Sequence, residues 1–270
     1  MTNPHGTPIW YELLTSDPDA AQAFYSDVVG WKIGQFGCKD GEDAPPPPPR
    51  PDGAPMDYRI LTAPDGGGVG GLMKLPEGAP MPPAWLSYIG VDDVDAAVES
   101  IKAAGGAVHM PPMDLEGVGR MSMVADPQGS VFYVMRGASD EDSGAMSMAD
   151  GHCGWNELST SDPEAALAFY TSQFNWVKGD AMPMGEMGEY RFINHGEGMI
   201  GAVMRVQASD GRPAWLYYFV VPDIDVAFER IKAGGGKPHT DPMQIPGGSY
   251  AFAATDPQGA VFGLSGPRKS

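Results

Sequence analysis

The sequence predicts an α+β protein built from tandem βαβββ modules. Three observations lead there: an internal repeat over nearly the whole chain, two capped helix signatures in each copy, and short β-rich segments between and after them. Residues 10–25, WYELLTSDPDAAQAFY, recur as residues 155–170, WNELSTSDPEAALAFY, at an offset of 145, and Trp31 recurs as Trp176. The offset falls to 132 at Tyr58-Arg59 and Tyr190-Arg191, so the first copy carries 13 additional residues between these landmarks. It settles at 130 for Pro83-Ala84-Trp85-Leu86 with Pro213-Ala214-Trp215-Leu216, for Ile101-Lys102-Ala103 with Ile231-Lys232-Ala233, and for the DPQG turns at 126–129 and 256–259. A fixed-period self-match of this kind fixes the architecture before any single element is assigned.

The first helix of each copy opens on Asp17 and Asp162 as N-caps, with Pro18 and Pro163 at the first helical position. Ala21, Phe24 and Val28 follow at helical spacing, as do Ala166 and Phe169 in the second copy. The second helices, 94–103 and 224–233, end at Gly105-Gly106 and Gly235-Gly236, which suit a left-handed cap. β-rich runs such as 85–91 and 131–135 fill the rest, giving β-α-β-β-β twice per copy.

This reading places a first domain over 1–138, a linker over 139–151 and a second domain over 152–270. The linker, ASDEDSGAMSMADG with its flanking Ala138, is acidic, small and without periodicity. The insert of the first copy, 44–55, contains Pro45 to Pro49 and is expected to be an exposed polyproline loop, because proline neither donates to a sheet nor continues a helix.

Composition narrows the function classes. Seventeen basic against 35 acidic residues give a formal charge of −18, which repels nucleic acid and anionic lipid. No apolar run reaches the ~20 residues of a membrane span. No secretory pattern is visible at residues 1–10, so a cytoplasmic location is expected. The two cysteines, Cys38 and Cys153, occupy non-equivalent positions in the copies and indicate reduced thiols, not a disulfide framework.

DPxAAxxFY opening a helix, a tryptophan soon after, a second helix ending in GG and DPxG before the last strand occur in that order, twice. Together they resemble the vicinal oxygen chelate superfamily of glyoxalases, bleomycin-resistance proteins and extradiol dioxygenases. Within it, the first-strand WxEL resembles two-domain glyoxalase-like bacterial proteins. The resemblance implies paired modules that curl into a half-open mixed sheet around a cavity in each copy.

It also implies where a divalent metal would be held, since metal-using relatives place His, Gln or Glu on four strands. Those positions fall on Trp10, Leu86, Tyr133 and near Met73 in the first copy. In the second they fall on Trp155, Leu216, Gly263 and near Ala202 or Val203. No metal site and no other cofactor is therefore expected, with Zn, Ni, Mn or Fe through other ligands as the alternative.

Glu12 and Glu157 are the candidate catalytic residues. Each shares a strand face with Trp10 or Trp155, and by resemblance that face lines the cavity, where a carboxylate serves as general base or holds a polar group. In the competing reading the glutamates pair with Arg59 and Arg191. Trp10, Tyr88, Arg59, Trp155, Tyr218 and Arg191 are the candidate ligand-binding residues. Trp85 and Trp215 are expected at a domain seam, His109 and His239 at turns, and Met182, Met184 and Met187 as core filling. His5, His152 and His195 lack the spacing of a metal set or triad.

The expected function is that of a glyoxalase-like protein binding or sequestering a small organic molecule in an aromatic cavity, as a monomer or homodimer, with neither nucleic acid nor membrane as partner. The alternative is a lyase, isomerase or dioxygenase using a metal or a glutamate base. A third possibility is an interaction role for the polyproline loop or the acidic surface.

Overall fold

A computed structural model describes residues 3–36, 57–76, 78–79, 81–207 and 211–269. The polyproline run and Cys38 lie outside the described residues. The first copy runs β1 (Pro8–Thr15), α1 (Pro18–Val28), β2 (Lys32–Gln35), β3 (Tyr58–Thr62) and β4 (Gly68–Lys74). It continues through β5 (Ala84–Gly90), α2 (Val94–Ala103), β6 (Ala107–Leu115), β7 (Gly119–Ala125) and β8 (Val131–Gly137). The second runs β9 (Cys153–Thr160), α3 (Pro163–Phe174), β10 (Val177–Pro183), β11 (Glu189–His195) and β12 (Gly198–Arg205). It ends with β13 (Ala214–Val220), α4 (Ile224–Ala233), β14 (Lys237–Pro238), β15 (Met243–Gln244), β16 (Tyr250–Thr255) and β17 (Val261–Gly266). The α+β class and the doubled βαβββ order are those read from the repeat. Among the described residues no helix is long and apolar enough to cross a membrane.

The helix starts follow from their caps. Asp17 accepts from the Ala20 N–H at 3.1 Å and Asp162 from the Ala165 N–H at 3.1 Å, each with proline next in chain. Asp93 and Asp223 cap α2 and α4 likewise. Gly105 and Gly235, at φ +90° and +86°, take the left-handed conformation that ends these two helices without the cost a side chain would add.

Each copy forms one mixed sheet, in the orders β2-β3-β4-β1-β5-β8-β7-β6 and β10-β11-β12-β9-β13-β17-β16-β14, with β15 on β16. Within a module the first strand runs parallel to the fourth, which α1 or α3 and two strands must precede.

Compactness divides the chain differently from sequence order. One unit comprises Met1–Ile9, Leu86–Ser143 and Trp155–Leu216; the other comprises Trp10–Trp85, Gly144–Gly154 and Tyr217–Ser270. Each thus joins one module from each half of the sequence, and the divisions fall inside β1, β5, β9 and β13.

The core of each unit explains that choice. In the second unit Trp85 Nε1 donates to Tyr25 Oη at 2.9 Å, and Tyr25 donates to Asp256 Oδ2 at 2.9 Å. In the first, Trp215 Nε1 donates to Tyr170 Oη at 3.0 Å, and Tyr170 donates to Asp126 Oδ2 at 3.1 Å. The aspartates are those of the DPQG turns, and their Oδ1 atoms hold the turns by accepting from Gln128 and Ser130, or from Gln258, Gly259 and Ala260. Burial is the main cause that raises both carboxyls above the usual range, against the backbone and tyrosine bonds that pull them down. Tyr25 is likewise raised, first by burial and then by the charge of Asp256. Trp31 and Trp176 close the clusters by donating to the carbonyls of Gly151 and Gly6. Trp85 and Trp215, expected at a seam between the copies, are buried in these clusters, Trp85 against Phe219 of the second copy at 4.8 Å.

Candidate ligand-binding site

Alternation along β1 puts Trp10 and Glu12 on one face and Tyr11 and Leu13, both fully buried, on the other. Tyr11 packs edge-on against Tyr217 at 5.2 Å, inside the core of the second unit. Glu12 stands beside Gly71 on β4, and Tyr58 on β3 stands opposite Met73. The Tyr58 side chain slants across β4 to reach β1. It can do so because residue 71 is glycine, where a Cβ would lie 2.1 Å from the phenol oxygen.

The result is a relay. Trp10 Nε1 donates to Tyr58 Oη at 2.8 Å, and Tyr58 donates to Glu12 Oε2 at 3.0 Å. Its direction is fixed by chemistry: an indole N–H only donates, which leaves the phenol proton for the carboxylate. Glu12 is 2% exposed and Trp10 half-buried.

The first unit repeats the arrangement on β9 and β11. Trp155 Nε1 donates to Tyr190 Oη at 2.7 Å, and Tyr190 donates to Glu157 Oε2 at 2.7 Å. Here Ala202 pairs with Glu157, and Phe192 replaces Ile60, packing edge-on to Trp155 at 6.0 Å and to Tyr190 at 5.7 Å. Unlike Glu12, Glu157 is only half-buried.

The arginines point the other way, because neighbours on a strand alternate faces. Arg59 binds Asp57 at 2.8 Å, Asp19 at 2.6 Å and the Gln22 side chain at 2.7 Å, which ties β3 to α1. These contacts, Asp57 foremost, raise the guanidinium further and lower Asp57. Arg191 pairs with Glu189 and Glu164. In place of the competing reading's glutamate–arginine pairs, each glutamate accepts from a tyrosine. The sequence signal was present in the repeated Tyr-Arg dipeptide, but the charged member was the one singled out.

The other candidates fall elsewhere. Tyr88 stacks on Tyr133 in the first unit, with centroids 4.3 Å apart and planes 11° apart. In the second unit Tyr218 lies over Gly263, where a Cβ would come within 2.4 Å of its ring. His109 and His239 are exposed, and His239 reaches Thr255 Oγ1 at 2.7 Å. His152 is buried between the Gly144 carbonyl at 2.6 Å and Asp65 at 3.1 Å. His5 meets the Gln173 carbonyl, and His195 meets Thr7 Oγ1. Burial lowers the His195 imidazole. Met187, expected in the core, is 42% exposed.

The residues at the superfamily's ligand positions do not fit a divalent ion. Indole has no lone pair to give, and both indole N–H groups are committed to tyrosines. Leu86 and Leu216 are hydrocarbon, and Gly263 has no side chain. Register also corrects the fourth-strand position of the second copy: Leu14 stands beside Met73, and its counterpart Ser159 beside Met204, so Met204, not Ala202 or Val203, is the equivalent residue. Among the described residues no three His, Cys, Asp or Glu side chains converge as a metal set.

The model of the Glyoxalase/Bleomycin resistance protein/Dioxygenase superfamily matches residues 8–134 and again 151–264. The chain belongs to this superfamily. The relative from Mycobacterium tuberculosis named "Putative glyoxylase CFP32" is 34% identical over 264 residues, covering 97% of this chain and 95% of that protein. The anthracycline biosynthesis protein DnrV of Streptomyces peucetius is 30% identical over 279 residues, covering 96% and 92%. In fold, the Mn(II)-bound glyoxalase from Novosphingobium aromaticivorans superposes with a TM-score of 0.63 at 17% identity, covering 99% of this chain and 84% of that one.

Proposed function

We infer that this superfamily member binds a small organic molecule without the divalent ion its metal-using relatives hold. The Trp155–Tyr190–Glu157 relay offers an indole face and an oriented, half-buried carboxylate to an aromatic ligand that carries hydroxyl or amine donors, while its counterpart at Glu12 keeps the carboxylate enclosed. The observation that carries the reading is the 2.7 Å bond from Tyr190 to Glu157 beside Trp155, repeated by Tyr58, Glu12 and Trp10. Because the relay donates inward to the carboxylate, the complementary ligand group is a donor. The anthracycline biosynthesis name of the Streptomyces relative supports an aromatic ligand class. Two cysteines at non-equivalent positions of the repeat fit a reducing, cytoplasmic setting.

A second reading rests on the same carboxylate: held by a phenol and half-buried, Glu157 can take a proton from a bound ligand and so act as a general base. Turnover of the ligand that disappears in Glu157→Gln, with binding retained, would move the reading from binding to catalysis.

The test is a thermal-shift series on chelator-treated protein with 1,4-dihydroxyanthraquinone as probe, set beside Zn²⁺, Ni²⁺, Mn²⁺ and Fe²⁺ and elemental analysis of the purified protein. A ligand that binds only the native state raises Tm. The reading expects a rise with the probe under chelation. A stoichiometric divalent ion whose removal abolishes the probe's effect overturns it.

A further inference from the structure

The first unit holds a concentration of thioethers that neither relay uses. On β6, β7 and β8 the register sets Met113 opposite Met121 and Met121 opposite Met135. In the adjacent row Met110 stands opposite Met123, and Met123 opposite Tyr133. Directly opposed residues share a face, as do residues two apart on one strand, so all five methionines lie on one side of these strands. The other side carries Ser122, Val124, Phe132 and Val134, all fully buried, with Phe132 against Tyr170 at 5.7 Å.

Two features separate this cluster from ordinary gap-filling. Only Met121 is enclosed, at 6% exposure, while Met110, Met113, Met123 and Met135 are half-buried and line a surface. The fold, moreover, does not require them. At offset 130 the second copy has Thr240, Met243, Ala251, Ala253 and Ser265, and its strands pair in the same register with one thioether in place of five.

We propose that this face binds a soft monovalent cation, copper(I), through thioethers gathered around Met121 and Met123. Thioether sulfur is uncharged and polarisable, and selects copper(I) over the harder divalent ions. Adjacent strands stand about 4.8 Å apart, so flexible methionine side chains from three neighbouring strands can turn their sulfurs onto one ion while the backbone stays in place. The formal charge of −18 raises the local concentration of cations. The cluster shares no residue with the relays, and its test does not depend on theirs.

The experiment uses the full chain with both thiols removed, C38S/C153A, since cysteine would compete for the ion. Silver(I) serves as a redox-inert stand-in, followed through protein labelled with ¹³C at the methionine methyls. Titration is expected to shift the methyls of Met110, Met113, Met121 and Met123 together, saturating at one ion per chain, while Met182, Met184 and Met187 stay in place. Under anaerobic conditions the same protein should withdraw copper(I) from its bicinchoninate complex. M113L/M121L/M123L should weaken that uptake about tenfold or more, and M182L/M184L/M187L should leave it unchanged. Shifts spread evenly over all methionines, no shift at all, or undiminished uptake by folded M113L/M121L/M123L overturns the site.

Discussion

The two relays share their residues and bond order but differ in what surrounds them. Around Glu12 the tyrosine crosses a glycine, the neighbouring side chain is Ile60, and the carboxylate is 2% exposed. Around Glu157 the crossing residue is Ala202, Phe192 adds a third ring, and the carboxylate is half-buried. The carboxylate that ends the chain is thus sealed in one place and partly accessible in the other. A group that reaches solvent can meet a ligand without rearrangement, and one that is sealed must first be opened. The Glu157 relay is accordingly the better placed to bind.

The largest effect is expected from G71A. Its Cβ would stand 2.1 Å from the Tyr58 hydroxyl, which forces the ring out and breaks its bond to buried Glu12. A loss of about 3 kcal/mol by urea unfolding is expected from such overpacking with a broken bond. A202G at the paired position of the other relay should cost about 1 kcal/mol. Equal costs would mean that the two crossings are alike.

Next come Y25F and Y170F, which strip a donor from Asp256 or Asp126 and an acceptor from Trp85 or Trp215. Each should cost about 2 kcal/mol, and by the same amount in both units, because the buried cores match where the relays do not. A difference between the two beyond about 1 kcal/mol would break that equivalence.

The same aspartates set a pH dependence. A carboxyl raised by burial binds its proton more readily folded than unfolded. It therefore favours the fold once pH drops below its raised value, and that contribution is lost as pH climbs from the ordinary carboxylate value through the raised one. Asp57 and Asp95, lowered chiefly by bonds to Arg59 and Arg120, act oppositely: their stabilisation is present above the ordinary value and is lost as pH falls through the lowered one. D126N/D256N should remove the decline above the ordinary value and keep the loss below it. A stability profile unchanged by the pair would show that neither carboxyl is raised.

W10F and W155F should have the smallest effect on stability, about 1 kcal/mol each for one lost hydrogen bond. Their effect on ligand binding should be unequal, with W155F the larger.

Much of this was legible from sequence because it is local. Caps at Asp17 and Asp162, prolines after them, glycine pairs after α2 and α4 and the alternation of Trp10 with Glu12 depend on residues a few positions apart. Module pairing was not legible. A repeat tells that four modules exist, but Tyr25 meets Asp256 and Tyr170 meets Asp126 through tertiary packing that equivalent residues in the same half could equally have satisfied on paper. The relay tyrosines escaped for a related reason. Tyr58 reaches Glu12 only by crossing β4, and that crossing depends on the register of β4 and on the absence of a side chain at Gly71. Charge drew attention to Arg59, which alternation had already turned toward α1.

The most direct measurement is a calorimetric titration of 1,4-dihydroxyanthraquinone into chelator-treated wild type, E12Q and E157Q. If the half-buried Glu157 carboxylate receives the ligand, E157Q weakens affinity about tenfold, the loss of one charge-assisted hydrogen bond, and E12Q changes it little. Affinity indifferent to both substitutions, or present only after a divalent ion is restored, would contradict a relay-based site.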